Sequence, residues 1–510
     1  MTFEKDFFTF TGTSAHQADM ESARCRRHFF IGAATAAHQV EGGNIHSDYW
    51  AQEHMVHTDF LEPSGDAVDH YHRYAEDISL MAQAGLNAYR FSIEWARIEP
   101  EEGHFDEAQI AHYRDVIRAC RENGIEPVVT LLHFTSPKWL ISKGGWESDD
   151  TPGYFARYTR YVMERLGDDL RYVCTINEAN MGIQVAAIAK RYMQQMMAKM
   201  QAAGARNGQM PTNGESAGVQ SGQMPTDREQ NDKPGSWAQN GQISGKSDAA
   251  TQQNPQNSQN PKDTTVQMGL NLEKMMANQK AAEAERMELF GVPKTECFTS
   301  PRTPHGDEIV MEAHKAARTV IRELAPHIQV GLTLSLHDIQ ALPGGEEKAA
   351  KEWEEEFLHY LPAIEDDDFL GVQNYTRTRM DASGSLPVPE DAEVTQMDYE
   401  FYPEALANVI RRVAKDFKKD LLVTENGIAT SDDTRRVAFI QTALSGVKSC
   451  LEEGLPVKGY FYWSLLDNFE WQKGYSMTFG LVAVDRATQT RYPKESLRYL
   501  GRFHGYALEQ

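Results

Sequence analysis

The stretch from Val457 to Trp471 reads V-K-G-Y-F-Y-W-S-L-L-D-N-F-E-W. Its first half has the composition of a buried strand, because β-branched Val457 follows a proline and an unbroken aromatic run extends from Tyr460 to Trp463. Its second half places an aspartate, an asparagine and Glu470 among further aromatic residues. A sugar needs this combination, since its C–H faces stack on rings and its hydroxyls bond to directional acceptors. Taken alone, the stretch also fits a core strand followed by an acidic loop.

Two other segments each end an apolar strand with a glutamate. They are T-I-N-E-A-N at 175–180, which contains Glu178, and L-L-V-T-E-N-G at 421–427, which contains Glu425. Cleavage of a glycosidic bond needs one carboxyl group to protonate the leaving oxygen and a second to attack the anomeric carbon or activate water. Either glutamate alone could instead form a structural salt bridge at the end of its strand. The pair, each in its motif, favours a glycosidase.

The three segments resemble the motifs of glycoside hydrolase family one, the β-glucosidase/β-galactosidase group. That family carries T-x-N-E-P, then [I/V]-T-E-N-G, then W-S-L-x-D-N-F-E-W. The resemblance extends from about Arg27 to about His504, with one insertion. It implies a retaining, exo-acting β-glycosidase that hydrolyses terminal non-reducing β-D-glucosyl residues, or galactosyl or fucosyl residues, through a glycosyl-enzyme intermediate. It implies no cofactor and no metal ion.

Short apolar segments alternate with helical ones along the chain, which predicts an α/β fold, a (β/α)8 TIM barrel. An amphipathic helix is expected over 65–81 with Asp66 as its cap, and another over 107–123 that stops at Gly124. In such barrels the active groups lie at the C-terminal ends of the strands. The predicted strands are Phe29–Ala34, Ala88–Ile93, Pro127–His133, Tyr172–Asn177, Gln329–Leu334, Phe369–Gln373, Asp420–Thr424 and Val457–Ser464.

The resemblance assigns the two glutamates different roles. Glu178 is implied to be the general acid/base and Glu425 the nucleophile. Arg90 and Tyr375 are implied to orient Glu425 and to lower its pKa, so that it is ionised. The charge of Glu425 should in turn raise the pKa of Glu178, which must hold a proton at the start of the reaction.

The resemblance also implies a set of substrate-binding side chains, although a histidine or tryptophan on an apolar strand, considered alone, fits a core position equally well. These residues are Gln39, His133, Asn177, Tyr375, Trp463, Glu470 and Trp471.

The sequence departs from the family pattern at four places. Ala179 and Asn180 follow the first glutamate where the family has proline first, and Phe134 replaces a tryptophan. Gln373 begins a segment that is commonly Asn-Tyr-Tyr, and Met477-Thr478 stands where a basic residue is common. No implied catalytic group is lost. The aglycone preference and the orientation of Glu178 therefore stay open.

Composition divides the chain into regions. Residues 1–26 are polar and are expected to be an N-terminal extension, and 27–507 are expected to form one catalytic domain. The segment 204–265 is rich in Gln, Asn, Gly and Ser and repeats G-Q-M-P-T, which predicts a disordered low-complexity insertion after strand four. Helical sequence flanks it at 182–203 and 270–290. We hypothesise that these flanks form a hairpin beside the aglycone entrance, or that they pack elsewhere on the surface.

Charge and cysteine content limit the partners and the compartment. The 510 residues carry a formal net charge of −23, which argues against nucleic acid and anionic membranes as partners. The five cysteines are scattered and lack metal-ligand spacing, which indicates a reducing compartment. No secretory signal and no long apolar stretch is visible. We therefore expect a cytoplasmic enzyme that acts on a small β-glycoside or oligosaccharide, with its oligomeric state open.

Two alternative functions would require different residues at the site. A 6-phospho-β-glycosidase of the same family would have a small polar residue in place of Glu470 and an added lysine and tyrosine for the phosphate. The charge of Glu470 should repel a dianion. A catalytically dead sugar-binding relative would lack one of the two glutamates, whereas both Glu178 and Glu425 are present.

Overall fold

The computed structural model describes residues 29–207 and 272–503. The chain divides into two compact units, one of residues 1–192 with 264–510 and the other of residues 193–263. The barrel described below belongs to the first unit. The predicted extension 1–26 lies outside the described residues, as does the predicted insertion from 208 to 265. Its first four residues, 204–207, are the end of a helix, so the insertion cannot be irregular from Gly204 onwards.

Thirteen strands are present in the described ranges, and eight of them close into a parallel barrel in the order β1-β11-β10-β7-β5-β4-β3-β2. The TIM-barrel prediction is therefore confirmed. The strands are β1 Phe30–Ala34, β2 Ala88–Ser92, β3 Glu126–Leu132, β4 Tyr172–Ile176, β5 Gln329–Ser335, β6 Asp338–Ala341, β7 Phe369–Gln373, β8 Arg377–Asp381, β9 Gly384–Ser385, β10 Asp420–Asn426, β11 Val457–Trp463, β12 Val482–Asp485 and β13 Thr490–Pro493.

Helices connect and cover the barrel strands. The α-helices are α1 Ala37–Val40, α2 Asp48–Glu53, α3 His70–Ala84, α4 Trp95–Ile98, α5 Glu107–Glu122, α6 Lys138–Ser142, α7 Thr151–Leu166, α8 Met181–Asn207, α9 Leu272–Phe290, α10 Pro304–Leu324, α11 Glu346–Glu356, α12 Leu361–Ile364, α13 Ala405–Val413, α14 Asp433–Glu452 and α15 Glu495–Gly501. Short 3-10 helices lie at Gly145–Glu147, Gly167–Asp169, Leu358–Tyr360 and Trp471–Lys473.

The barrel strands are mostly apolar because both of their faces are covered, and their polar residues are concentrated towards the strand ends. In β2 and β7 every residue is buried, and in β3 only the first residue is not. The predicted strands agree with the observed ones to within two residues at each end. The sequence did not predict the small sheet β6-β8-β9 or the hairpin β12-β13, because these strands are short and half-exposed and lack clear alternation.

One predicted helix start is wrong. Helix α3 begins at His70 and not near residue 65, and Asp66 does not cap it. The preceding residue is Asp69, which adopts a left-handed conformation with φ 53° and makes no side-chain capping bond. The predicted end of α5 holds, since this helix stops at Glu122 and Gly124 follows with φ 69°.

The predicted flanks of the insertion are helical. Helix α8 contains the first flank and α9 contains nearly all of the second. The hypothesis of a hairpin beside the aglycone entrance stays a prediction. No helix within the described ranges is long and apolar enough to cross a membrane.

Candidate active site

Glu178 stands where the chain leaves β4. Its backbone adopts the left-handed conformation with φ 44°, which is uncommon for a residue other than glycine. Thr333 on the neighbouring strand β5 holds this turn, because its Oγ1 accepts a hydrogen bond from Glu178 N at 2.9 Å and its carbonyl accepts one from Ala179 N at 3.0 Å. The glutamate side chain lines a pocket at the barrel mouth and is 5% exposed.

Glu425 lies near the end of β10, where the pairing with β7 is irregular between Val423 and Glu425. Such irregularities change the direction in which side chains point. Its carboxylate accepts hydrogen bonds from Arg90 Nη1 at 2.6 Å, from Tyr375 Oη at 2.6 Å and from Gln373 Nε2 at 3.1 Å. Three donors thus fix the orientation of this carboxylate in the same pocket that Glu178 lines.

The two carboxyl groups differ in electrostatic environment. Burial, followed by the charge of Glu425, raises the pKa of Glu178 well above its ordinary value. Burial also raises the pKa of Glu425, although Arg90 and Tyr375 act in the opposite direction. Arg90 and Tyr375 act on the pKa of Glu425 in the expected direction, but desolvation outweighs them and the net pKa lies above its ordinary value. Glu178 has no cationic partner at hydrogen-bond distance among the described residues, so its pKa is raised more strongly than that of Glu425.

His133 stands beside two tryptophans in the pocket. Its ring stacks on Trp463 at 5.5 Å between centroids and on Trp471 at 6.0 Å. Burial, with a smaller contribution from Arg90, lowers its pKa well below the usual value, so the imidazole is neutral. Asn177 Oδ1 accepts from Arg90 Nη2 at 2.5 Å, which directs its amide nitrogen to His133 Nε2 at 3.2 Å. The single ring proton of the neutral imidazole therefore lies on Nδ1. This nitrogen can donate a hydrogen bond and has no partner among the described residues.

Glu470 forms the other polar side of the pocket, and the fully buried Gln39 lies behind it. Gln39 Nε2 donates to Phe469 O at 2.7 Å and lies 3.3 Å from Glu470 Oε2, while Gln39 Oε1 has no partner among the described residues. Burial and the charge of Glu425 raise the pKa of Glu470 to about 8. Much of this carboxyl group is therefore protonated at neutral pH, and it can donate as well as accept.

The structure brings all ten predicted site residues together. Eight of them line the pocket, whereas Arg90 and Gln39 are fully buried and reach it through Glu425 and Glu470. Sequence reasoning missed Thr333 and Gln373, which hold the backbone or carboxylate of the two glutamates. Their position at the C-terminal ends of predicted strands was the available signal. It also missed several wall residues: Met181, Ser335, Leu336, His337, Thr376, Met397, Tyr399 and Phe479.

No group of three or more His, Cys, Asp and Glu side chains within residues 29–207 and 272–503 is arranged to hold a metal ion. The pocket's chemistry is that of three carboxyl groups, a buried guanidinium behind one of them and aromatic walls. Such a set can transfer a proton and form an ester with a sugar.

The chain is similar in sequence and structure to known glycosidases. A model described as Glycosyl hydrolase family 1 matches residues 21–207 and 356–505. Beta-glucosidase A of Acetivibrio thermocellus is 28% identical over 495 residues, which cover 92% of this chain and 95% of that protein. The 6-phospho-beta-galactosidase of Lacticaseibacillus casei is 27% identical over 493 residues, covering 92% and 96%. The crystal structure of beta-glycosidase BGL167 is 41% identical with a TM-score of 0.73, covering 95% of this chain and 98% of that one. Because the matched ranges span more than half of the sequence, this chain belongs to glycosyl hydrolase family 1 and is a glycoside hydrolase.

Proposed function

We propose that the chain is a retaining, exo-acting β-glycosidase that removes terminal non-reducing β-D-glucosyl residues. The observation that carries this proposal is that Glu425, held by Arg90 and Tyr375, and Glu178, which has no such cationic partner, line one pocket. Glucose is favoured over galactose and fucose as the glycone because beta-glucosidases are among the similar proteins. Galactosyl and fucosyl substrates belong in the same assay.

In the first step Glu425 attacks the anomeric carbon while Glu178 gives its proton to the leaving oxygen. Arg90 and Tyr375 hold the attacking carboxylate in place, so little reorganisation is needed at the moment of reaction. The bond from the anomeric carbon to the aglycone oxygen breaks, and an ester to Glu425 forms.

In the second step water releases the sugar. The ester of Glu425 carries no charge, so the second cause of the raised pKa of Glu178, after burial, is gone. Glu178 then exists as a carboxylate and takes a proton from the attacking water, which frees Glu425. The same residue thus acts as acid and then as base.

Four groups suit the binding of the glycone. His133 Nδ1 offers a donor and Gln39 Oε1 an acceptor, and neither has a partner among the described residues. Glu470 adds a carboxyl group that can donate or accept, and Trp463 adds a ring face for the sugar's C–H groups. This arrangement supports recognition of a neutral, hydroxyl-rich ring.

The stereochemistry of the first product tests the proposal. We expect the two carboxyl groups to lie about 5 Å apart, the separation for retention, and not roughly 9 Å. Hydrolysis of an aryl β-D-glucoside, followed by proton NMR from the first minute, should therefore show the β-anomer of glucose before mutarotation. If the α-anomer appears first, the enzyme inverts and Glu425 is not the nucleophile.

A 6-phospho-β-glycosidase is the competing function, and a 6-phospho-beta-galactosidase is among the similar proteins. The described side chains that line the pocket include neither lysine nor arginine, so no cation is placed there for a phosphate. The raised pKa of Glu470 weakens the predicted repulsion of a dianion, so the lack of a lysine or arginine among these lining residues is the stronger evidence against a phosphate site. Faster hydrolysis of an aryl β-glucoside 6-phosphate than of its unphosphorylated counterpart would overturn our assignment.

Replacement of Glu470 by alanine should lower kcat/KM for aryl β-glucosides by about 100-fold, because its carboxyl group can make two hydrogen bonds to sugar hydroxyls, each worth about 0.5–1.5 kcal/mol even in the neutral form. Glu470→Gln is the matched control, since it resembles the protonated carboxyl group and should lose less. Thermal unfolding of both variants checks the fold. Unchanged kinetics in Glu470→Ala would show that this side chain does not contact the glycone.

A cytoplasmic, reducing location stays part of the proposal. Four cysteines in the described ranges, Cys120, Cys174, Cys297 and Cys450, are free and buried, which agrees with the prediction from their spacing.

A further inference from the structure

One wall of the pocket is built by the segment that follows β5. His337 lies two residues beyond the end of this strand and lines the pocket together with Leu336. The family model leaves residues 208–355 unmatched, so His337 falls outside the matched ranges. No role in the reaction proposed above depends on it.

His337 is held in one orientation. Its Nδ1 lies 2.7 Å from Glu356 Oε1, and its backbone N donates to Glu356 Oε2 at 3.1 Å. Glu356 is itself buried at the end of α11. The backbone and the ring of His337 are both held by one buried carboxylate. The side chain therefore loses little conformational entropy when it binds a ligand.

Asn180 connects this histidine to the acid/base glutamate. Its Nδ2 donates to the carbonyls of Ser335 at 2.7 Å and Glu356 at 3.0 Å, and its Oδ1 accepts from Ser335 N at 3.0 Å. Asn180 is two residues from Glu178. The departure from the family pattern after Glu178 thus supplies a side chain that fixes the distance between Glu178 and the segment carrying His337.

The position of His337 places it on the leaving-group side. β4 and β5 are neighbours in the barrel, and they carry Glu178 and His337 at their C-terminal ends. Two of the groups proposed to bind the glycone, Gln39 and Glu470, come instead from beyond β1 and β11, which lie across the barrel from β5. Since Glu178 gives its proton to the leaving oxygen, the pocket wall next to it faces the aglycone.

The free polar atom of His337 is Nε2. Nδ1 is engaged by Glu356, and Nε2 makes no hydrogen bond to any described residue. Burial lowers the pKa of this imidazole, but the charge of Glu356 and its hydrogen bond outweigh that effect and raise it. A hydroxyl group can accept from a protonated ring and donate to a neutral one, so it suits Nε2 in either state.

We propose that His337 Nε2 binds a hydroxyl group of the aglycone and so selects hydroxylated leaving groups, such as a second sugar, over plain aryl or alkyl groups. Met181 and Leu336 line the same pocket and provide apolar contact for the face of an aglycone sugar ring. This inference rests on the proposed function, because it requires Glu178 to protonate the aglycone oxygen.

Two substitutions at His337 distinguish binding of the aglycone through Nε2 from structural support through the bond between Nδ1 and Glu356. In His337→Asn the amide nitrogen takes the place of Nδ1 and keeps the bond to Glu356, but nothing replaces Nε2. In His337→Gln the amide reaches the position of Nε2. The ratio of kcat/KM for cellobiose to kcat/KM for phenyl β-D-glucoside is measured, since both substrates share a glycone. Loss of one hydrogen bond should lower this ratio about tenfold in His337→Asn, and His337→Gln should restore most of it.

Exposed His327 provides the control, and His327→Asn should leave the ratio at its wild-type value. The inference is overturned if His337→Asn lowers kcat/KM for both substrates equally, which would indicate a purely structural role, or if the ratio does not change. It is also overturned, with the proposed function intact, if the wild-type protein hydrolyses phenyl β-D-glucoside but not cellobiose. A wild-type protein that hydrolyses neither substrate overturns the proposed function and this inference together.

Discussion

Glu425→Ala is expected to reduce hydrolysis of aryl β-glucosides by at least about 10⁴-fold, because no ester can form without the nucleophile. Small anions should restore part of the reaction. Alanine leaves a space beside the anomeric carbon, and azide can enter it and attack the face that Glu425 attacks in the wild-type protein. With an activated leaving group such as 2,4-dinitrophenolate, the product should be the α-glucosyl azide, which NMR identifies.

The fold of this variant needs its own control, because Arg90 is fully buried and loses its carboxylate partner. Breaking one side of a buried ion pair costs about 3–5 kcal/mol. Glu425→Gln keeps an acceptor for Arg90 and Tyr375 and should unfold at a higher temperature than Glu425→Ala while being equally inactive without azide. Near-normal hydrolysis by either variant, or a β-glucosyl azide from Glu425→Ala, would show that another residue is the nucleophile.

The sequence alone was sufficient for the barrel and for the residues at its strand ends. Parallel strands that are covered on both faces must be mostly apolar, so short uniform segments such as Phe369–Gln373 were visible without an alternating pattern. Polar residues that follow such segments converge on one edge of a barrel. The roles of the ten predicted residues came from the resemblance to the family, and the structure places all ten at or directly behind one pocket.

Features that depend on three-dimensional packing could not be predicted. The balance between burial and the donors around Glu425 is a difference between large opposing effects, and the partners alone suggested the wrong sign for its pKa. The pair of His337 and Glu356 joins residues 19 positions apart through a loop and a helix end. Asp66 failed as a helix cap because the residues after it form a turn before α3 begins.

Glu178→Ala should discriminate between substrates by their leaving groups. A poor leaving group such as phenolate or a sugar alkoxide needs the proton of Glu178, and its kcat/KM should fall by about 10²–10⁴-fold. A 2,4-dinitrophenyl β-glucoside needs no proton in the first step, so its glucosyl-enzyme should still form and accumulate as an initial burst of phenolate. An equal loss for both substrates would remove Glu178 from the acid role.

The pH dependence and the azide product of the same variant complete the assignment. In the wild-type protein kcat/KM for phenyl β-glucoside should fall as pH rises through the raised pKa of Glu178, because only the protonated form donates. In Glu178→Ala that fall should disappear from the profile.

Azide should accelerate the turnover of Glu178→Ala by attacking the sugar ester of Glu425 from the face opposite the ester bond, which yields the β-glucosyl azide. The two alanine variants thus give azides of opposite configuration only if Glu425 is the nucleophile and Glu178 the acid/base, and the same anomer from both would contradict the double displacement.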